Sequence, residues 1–289
     1  MQVPNKKTLK IAMLQVPVKP EVPANIQWIK ENGSNTSDVL ILPEMWNCPY
    51  ENEAMQKAVS YQEQSIAALQ ELSLKNQQVV VGGSIPYQEG NTIYNMCFIF
   101  DKGSEITHYA KMHLMTFQGQ KVYSEKEVFT PGNTFVTFSV KGVKMGVLLC
   151  YDIRFPEPSR LLALEDIQCL CLPAAFNCHS RKKHWEILLR TRALENEIFV
   201  CGVNPSYTYH TYQSDGHSML VNPDGKILQE MNESPGLCET EIDLSQISKL
   251  RWRMPFYEIR RSDLYELKEK KNERNSYSNH APISNWPCP

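Results

Sequence analysis

The stretch Val143-Lys-Met-Gly-Val-Leu-Leu-Cys150-Tyr-Asp-Ile-Arg-Phe-Pro-Glu157 decides the fold class. Its first seven residues, rich in Val, Leu and Met, read as a buried strand. Pro156-Glu157 reads as the first turn of a helix. A strand apolar on both faces must be covered on both faces, which calls for α/β layering. The thiol of Cys150 stands where the strand ends, the position at which α/β proteins place reactive groups. The N–H groups of the following turn are suited to hold an oxyanion. Alone, Cys150 also fits a buried structural thiol, since free cysteine is among the most buried residue types.

Similar runs lie on both sides of this segment: Lys10 to Val16, Val39 to Leu42, Val79 to Val81, Tyr94 to Phe100, Cys169 to Leu172, Ile198 to Val203 and Ser218 to Val221. They are predicted as strands. Helical spacing joins Ile66, Leu69 and Leu72, and again Trp185, Leu188, Leu189 and Ala193. Turn signals at Glu89-Gly90-Asn91, Asp101-Lys102-Gly103, Pro131-Gly132-Asn133 and Asn222-Pro223-Asp224-Gly225 each predict a reversal between two extended runs. No repeat, linker or shift in composition divides the chain. Residues 1–265 are therefore expected to form one domain and residues 266–289 a charged, polar tail, with Glu266 to Arg274 a solvated helix.

The 289 residues are 42% hydrophobic, enough for a large core. Thirty Lys and Arg stand against 32 Asp and Glu, a formal net charge of −2, which argues against a nucleic-acid binder. No apolar run approaches the roughly 18 residues of a membrane helix. Near the N-terminus only Ile11 to Leu14 is continuously apolar, too short for a signal peptide, so a cytoplasmic protein is expected. Nine cysteines in such a chain are expected to be free thiols.

A cysteine nucleophile needs a base, because the thiolate is the reactive form. No papain-like or caspase-like histidine signature surrounds Cys150. Two other segments supply partners. Val39-Leu-Ile-Leu-Pro-Glu44 ends an apolar strand in a carboxylate, and His108-Tyr-Ala-Lys111 places a lysine after an extended run. A carboxylate there is costly unless paired or functional. Together the three make chemical sense: a partly desolvated Glu44 of raised pKa, the Cys150 thiol it deprotonates, and Lys111 to hold developing negative charge.

With these residues in view, the sequence resembles the nitrilase superfamily of carbon–nitrogen hydrolases from about Lys10 to Tyr265. The matching motifs are Leu42-Pro43-Glu44, Tyr109-Ala-Lys111-Met-His-Leu114, Thr130-Pro131-Gly132, Gly146 to Glu157, Phe176-Asn177, His184-Trp-Glu186, Gly216-His-Ser218 and Arg261-Ser-Asp-Leu-Tyr265. The resemblance implies an α-β-β-α sandwich of the nitrilase type that forms four layers on pairing, and hence a homodimer or higher homo-oligomer. It makes Glu44 the general base, Lys111 the oxyanion-stabilising lysine and Cys150 the nucleophile, with the Tyr151 N–H completing the oxyanion hole. A second glutamate lies six residues before the Pro-Gly turn in amidase-like members, which selects Glu125; Glu127 is the competing choice. No cofactor and no metal are implied.

Within the superfamily, true nitrilases usually follow the nucleophile with Trp-Glu, whereas this chain has Tyr151-Asp152. Glu44-Met-Trp-Asn-Cys-Pro-Tyr50 and Ala175-Phe176-Asn177 look like ω-amidases. Arg154-Phe-Pro-Glu157 and Ser234-Pro-Gly-Leu-Cys238 look more like deaminated-glutathione amidases. Phe176 and Asn177 are accordingly candidates for substrate binding. Either substrate carries a carboxylate, for which Arg154 and the run Arg181-Lys182-Lys183 are the candidate cations; an ion pair with Glu157 is the alternative for Arg154. The expected partner is thus a small amide, with no nucleic acid and no membrane. Acyl or ammonia transfer, and an idle thiol-sensing scaffold, are the rival classes. Cys169-x-Cys171 near Cys178, His179 and His184 resembles a zinc site only superficially, having no second paired motif.

Overall fold

Alternation along the first strand sets the layering. In β1 (Thr8–Gln15), Leu9, Ile11 and Met13 enter a central core, whereas Ala12 and Leu14 enter a separate outer one. The same division holds in β2 (Val39–Ile41) and β3 (Val79–Val81), whose middle residues Leu40 and Val80 point outward. On that outer side Ile29 of helix Val22–Asn32 and Ala68, Leu69 and Leu72 of helix Gln62–Asn76 pack against them. Gln77, in the left-handed conformation, stops the second helix immediately before β3.

The computed structural model describes residues 7–118 and 122–270. After β3 come β4 (Ile85–Glu89), β5 (Thr92–Asp101) and β6 (Ser104–Ala110), joined by turns at Gly90 and Gly103. A short hairpin of β7 (Thr116–Gln118) and β8 (Val122–Ser124) follows. The second half carries β9 (Thr137–Val140), β10 (Val143–Val147), β11 (Cys169–Pro173) and β12 (Phe199–Val203). Next are the hairpin β13 (Ser206–Tyr209) and β14 (Tyr212–Asp215), then β15 (Met219–Val221), β16 (Ile227–Glu230) and β17 (Gly236–Asp243).

Two mixed sheets result. The first runs β17-β1-β2-β3-β5, with β4 and β3 sharing one edge of β5 and β6 on its other edge. The second runs β16-β15-β12-β11-β10-β9, with β10, β11 and β12 parallel. Phe138, Val143, Met145, Val147 and Cys171 of the second sheet share the central core with β1 to β3. Its helices, Pro156–Leu164 and Glu186–Asn196, pack through Leu162, Leu189 and Ala193. The order of layers is therefore helix, sheet, sheet, helix, the sandwich expected from the sequence.

Three of the four turn signals connect hairpins. Pro131-Gly132-Asn133 does not: no strand immediately precedes it, and the Gly132 N–H donates to the Lys111 carbonyl at 2.8 Å, docking the loop on the end of β6. Cys169 and Cys171 are buried strand residues of the central core. Glu266 to Lys270, the described part of the charge-dense stretch, is not helical; the rest of that stretch and the tail to residue 289 lie outside the described residues. Among the described residues no helix is long and apolar enough to cross a membrane.

Candidate active site

The site forms where the ends of β2, β6, β10 and β11 meet. Glu44 follows β2, and its N–H donates to the carbonyl of Ala174, just past β11, at 3.2 Å. The first sheet thus hands its carboxylate directly to the end of the second. Glu44 is wholly buried. Its Oε1 accepts from Lys111 Nζ at 2.8 Å and from Asn95 Nδ2 at 2.8 Å, whereas Oε2 has no hydrogen-bond partner among the described residues. Burial pushes this carboxyl above the usual carboxylate range, against the pull of the Lys111 ammonium, and the nearby Glu125 adds to the rise.

Lys111 follows β6 and is wholly buried. Besides Glu44 it donates to both oxygens of Glu125, each at 2.9 Å. Burial alone would push the ammonium down, but the carboxylates of Glu125 and Glu44 outweigh it and hold Lys111 in the charged form. Glu125 is itself buried and also accepts from the Tyr50 hydroxyl and the Met115 N–H. Gly132 is required here by close approach: a Cβ would stand 2.2 Å from the Ala110 carbonyl oxygen, beside Lys111.

Cys150 opens a 3₁₀ turn, Cys150–Arg154, after β10, and its φ of +40° is one that side-chain-bearing residues rarely adopt. Burial pushes the thiol well up and the Glu44 charge adds to this, while Lys111 and the Ala175 N–H favour the thiolate. Asp152 fixes the turn. Its carboxylate, fully buried, accepts from the Leu149 N–H at 3.0 Å, the Tyr109 hydroxyl at 2.7 Å and the His113 N–H at 2.8 Å. The His113 ring then stacks on Phe155, centroids 3.9 Å apart.

The structure separates the remaining candidates. Glu127 is exposed and accepts from Asn52 at 2.8 Å, far from the role of Glu125. Tyr151 is half-buried, directly after Cys150. Arg154 does not pair with Glu157. Among the described residues it makes no ion pair, and its guanidinium lies over the rings of Phe176 at 5.2 Å and Tyr151 at 5.6 Å. Phe176 is buried against Trp185 and held by Asn204, which accepts from its N–H at 2.7 Å. Asn177 is exposed and caps the next turn by accepting from the Ser180 N–H. Arg181, read as a candidate cation, is consumed by Asp215 through two parallel hydrogen bonds, one of 2.7 Å; Lys182 and Lys183 are exposed.

Sequence reasoning did not single out Tyr50, Asn95, Tyr109, His113 or Asp152. The signal that marked Glu44, a polar group beside an apolar strand end, applies equally to Asp152, whereas Asn95 is a polar residue inside the apolar strand β5. Among the described residues, Asp215, His217 and Glu233 are the group close enough to share a metal ion, but Asp215 is held by Arg181 and the His217 ring by Glu230 at 2.9 Å.

A buried carboxylate with one open oxygen, a thiol electrostatically coupled to it and a fixed ammonium form a set able to pass a proton from sulfur and to hold an oxyanion. Nearly the whole chain is similar to several known proteins. The chain is 36% identical to nitrilase homolog 2 of Dictyostelium discoideum, over 93% of this chain and 85% of that protein. It is 31% identical to the omega-amidase NIT2 of Bos taurus, over 92% and 99% of the two chains. Saccharomyces cerevisiae Nit3, a member of branch 10 of the nitrilase superfamily, superposes with a TM-score of 0.78 at 31% identity, over 88% of this chain and 97% of its own. The Caenorhabditis elegans NitFhit protein gives 0.86 at 28% identity, over 93% and 69%. With the carbon-nitrogen hydrolase family model matching residues 10–251, the chain belongs to the carbon–nitrogen hydrolase family.

Proposed function

We propose that this chain, an amidase of that family, hydrolyses the terminal amide of a small carboxylate-bearing substrate of the ω-amide kind, such as α-ketoglutaramate or α-ketosuccinamate. The observation that carries the proposal is the saturation of Glu44 Oε1 by Lys111 and Asn95, which leaves Oε2 as the open oxygen of a buried carboxylate coupled to the Cys150 thiol. In the reaction Glu44 takes the thiol proton as the sulfur bonds to the amide carbon. Lys111 and the Tyr151 N–H hold the oxyanion. The C–N bond then breaks as Glu44 returns the proton to nitrogen, releasing ammonia and leaving a thioester. Water, deprotonated by Glu44, attacks the thioester; the C–S bond breaks, and the proton returns to sulfur.

Glu125 holds Lys111 charged and in place, and Arg154, free of any carboxylate among the described residues, receives the substrate carboxylate beside Phe176. The omega-amidases among its relatives support this substrate class. The proposal extends to one catalytic domain ending near residue 265 and to a cytoplasmic homodimer; the exposed apolar side chains of Ile187, Leu194, Trp252 and Met254 support association. Ammonia release from α-ketoglutaramate, succinamate, deaminated glutathione and a simple nitrile tests the substrate. Fastest turnover of α-ketoglutaramate and none by Cys150→Ala are expected; undiminished release by that variant overturns the mechanism, and exclusive turnover of another compound overturns the substrate.

A further inference from the structure

We propose that Asn95 is a positioning residue that directs proton exchange to Oε2 of Glu44. The inference rests on the role of Glu44 as base proposed above. Asn95 sits in β5 and is fully buried. Its backbone carbonyl accepts the Lys111 N–H at 3.0 Å, and its side-chain Nδ2 donates to Glu44 Oε1 at 2.8 Å. One residue therefore sets both the start of the Lys111 segment and the rotation of the Glu44 carboxylate.

The orientation of the amide follows from charge. Turned over, it would set its carbonyl oxygen against a carboxylate oxygen, so the donor must face Glu44. In that orientation Asn95 Oδ1 has no hydrogen-bond partner among the described residues although it is buried. A buried acceptor left open costs stability. Among the described residues, the only hydrogen bond the side chain makes is the one to Glu44. A residue placed for stability alone would have both halves of its amide satisfied.

Two donors converge on Oε1, Asn95 Nδ2 and Lys111 Nζ. A proton arriving on Oε1 would displace at least one of them, whereas Oε2 has no donor to lose. The proton taken from the thiol therefore settles on Oε2 and leaves from it. Without Asn95 the carboxylate keeps only Lys111 on Oε1 and is free to rotate about it.

The charged and titratable groups facing Glu44 are Lys111 after β6, Glu125 after β8 and Cys150 after β10, together with the phenols of Tyr50, Tyr123, Tyr207 and Tyr212. None of them changes in the variants below. Asn95→Leu keeps the branching at Cγ in a somewhat larger side chain and removes the donor, and Asn95→Asp keeps the shape and replaces a donor by an acceptor.

The test is the pH profile of kcat/KM for ammonia release by wild type, N95L and N95D, with Tm measured in parallel. N95L should lower kcat by about 10- to 100-fold, the worth of a hydrogen bond to a charged group, with KM changed far less. Its acidic limb should move to higher pH, because a carboxylate stripped of a donor holds its proton more tightly. N95D should move the limb further in the same direction. A lower Tm with an unmoved limb would mean that Asn95 is merely structural and would overturn the inference; if N95L does not fold, N95D alone decides. Glu44→Gln serves as the control: ammonia release by that variant would defeat the base assignment itself, whereas an inactive E44Q beside an unmoved N95L limb defeats only the role of Asn95.

Discussion

Tyr109, two residues before Lys111, donates its hydroxyl to Asp152, two residues after Cys150, across 2.7 Å. The strand that delivers the lysine and the turn that delivers the thiol are thereby held by one buried carboxylate, which also takes the Leu149 and His113 N–H groups. Asp152→Ala leaves several donors without an acceptor and should cost about 3 kcal/mol. Tyr109→Phe removes one donor and should cost about 1 kcal/mol. Urea unfolding measures both. Activity of the Asp152 variant should fall further than its folded fraction explains, since the turn bearing Cys150 loses its anchor.

Glu44 titrates above the usual carboxylate range because burial outweighs the pull of Lys111. The base role proposed for it needs the ionised form, so kcat/KM should fall as pH drops through that raised value, in a limb lying above the roughly 4.3 of an ordinary glutamate. The linkage to stability has the opposite sense. With the folded value above the unfolded one, the contribution of this group is present below the unfolded value and lost as pH rises through the folded value. Glu44→Gln should therefore gain on wild type in Tm as pH rises over that window, while releasing no ammonia. A Tm of E44Q that instead falls relative to wild type as pH rises would contradict the cause assigned to the shift.

Glu125 and Glu127 are two residues apart and meet different fates. Glu125→Gln removes the bidentate partner of Lys111 and should lower kcat/KM by about 100-fold, comparable to losing an oxyanion donor. Glu127→Gln alters only an exposed contact with Asn52 and should change kcat/KM by less than about twofold. Equal effects in a steady-state comparison would rule out this division of roles.

Arg154→Met keeps an unbranched apolar side chain but discards the guanidinium that lies over Phe176 and Tyr151. KM for a carboxylate-bearing amide should rise by about 10- to 100-fold, the worth of a charge-assisted contact, while a neutral short-chain amide should be unaffected. Parallel KM values for the two amides distinguish carboxylate recognition from a general disturbance of the site.

Gly132→Ala places a Cβ 2.2 Å from the Ala110 carbonyl oxygen, so backbone rather than a pliable side chain must move. A loss of about 1–3 kcal/mol is expected, as for overpacked sites generally. Because the Gly132 N–H bonds to the Lys111 carbonyl, kcat should fall together with Tm. Calorimetry and turnover on one preparation check the coupling.

The features legible in the chain alone are local ones. Val79 to Val81 reads as a strand from its β-branched run, and Val39 to Ile41 from its apolar run, because period and propensity act between near neighbours. Cys150, Glu44 and Lys111 stand out as candidates for the same reason: each is a reactive or costly residue at the end of an extended run. Tertiary structure alone decided what those residues touch. Lys111 reaches Glu44 across 67 positions and Tyr109 reaches Asp152 across 43, contacts that depend on how two sheets stack rather than on any local pattern. The burial of Glu125 against the exposure of Glu127, the pairing of Arg181 with Asp215 and the lack of a carboxylate partner for Arg154 among the described residues are of this kind. So is the Pro131-Gly132-Asn133 loop, whose composition announces a hairpin but whose backbone is held by the Lys111 carbonyl. A charged side chain takes the partner that burial leaves within reach, and burial is a property of the packed layers.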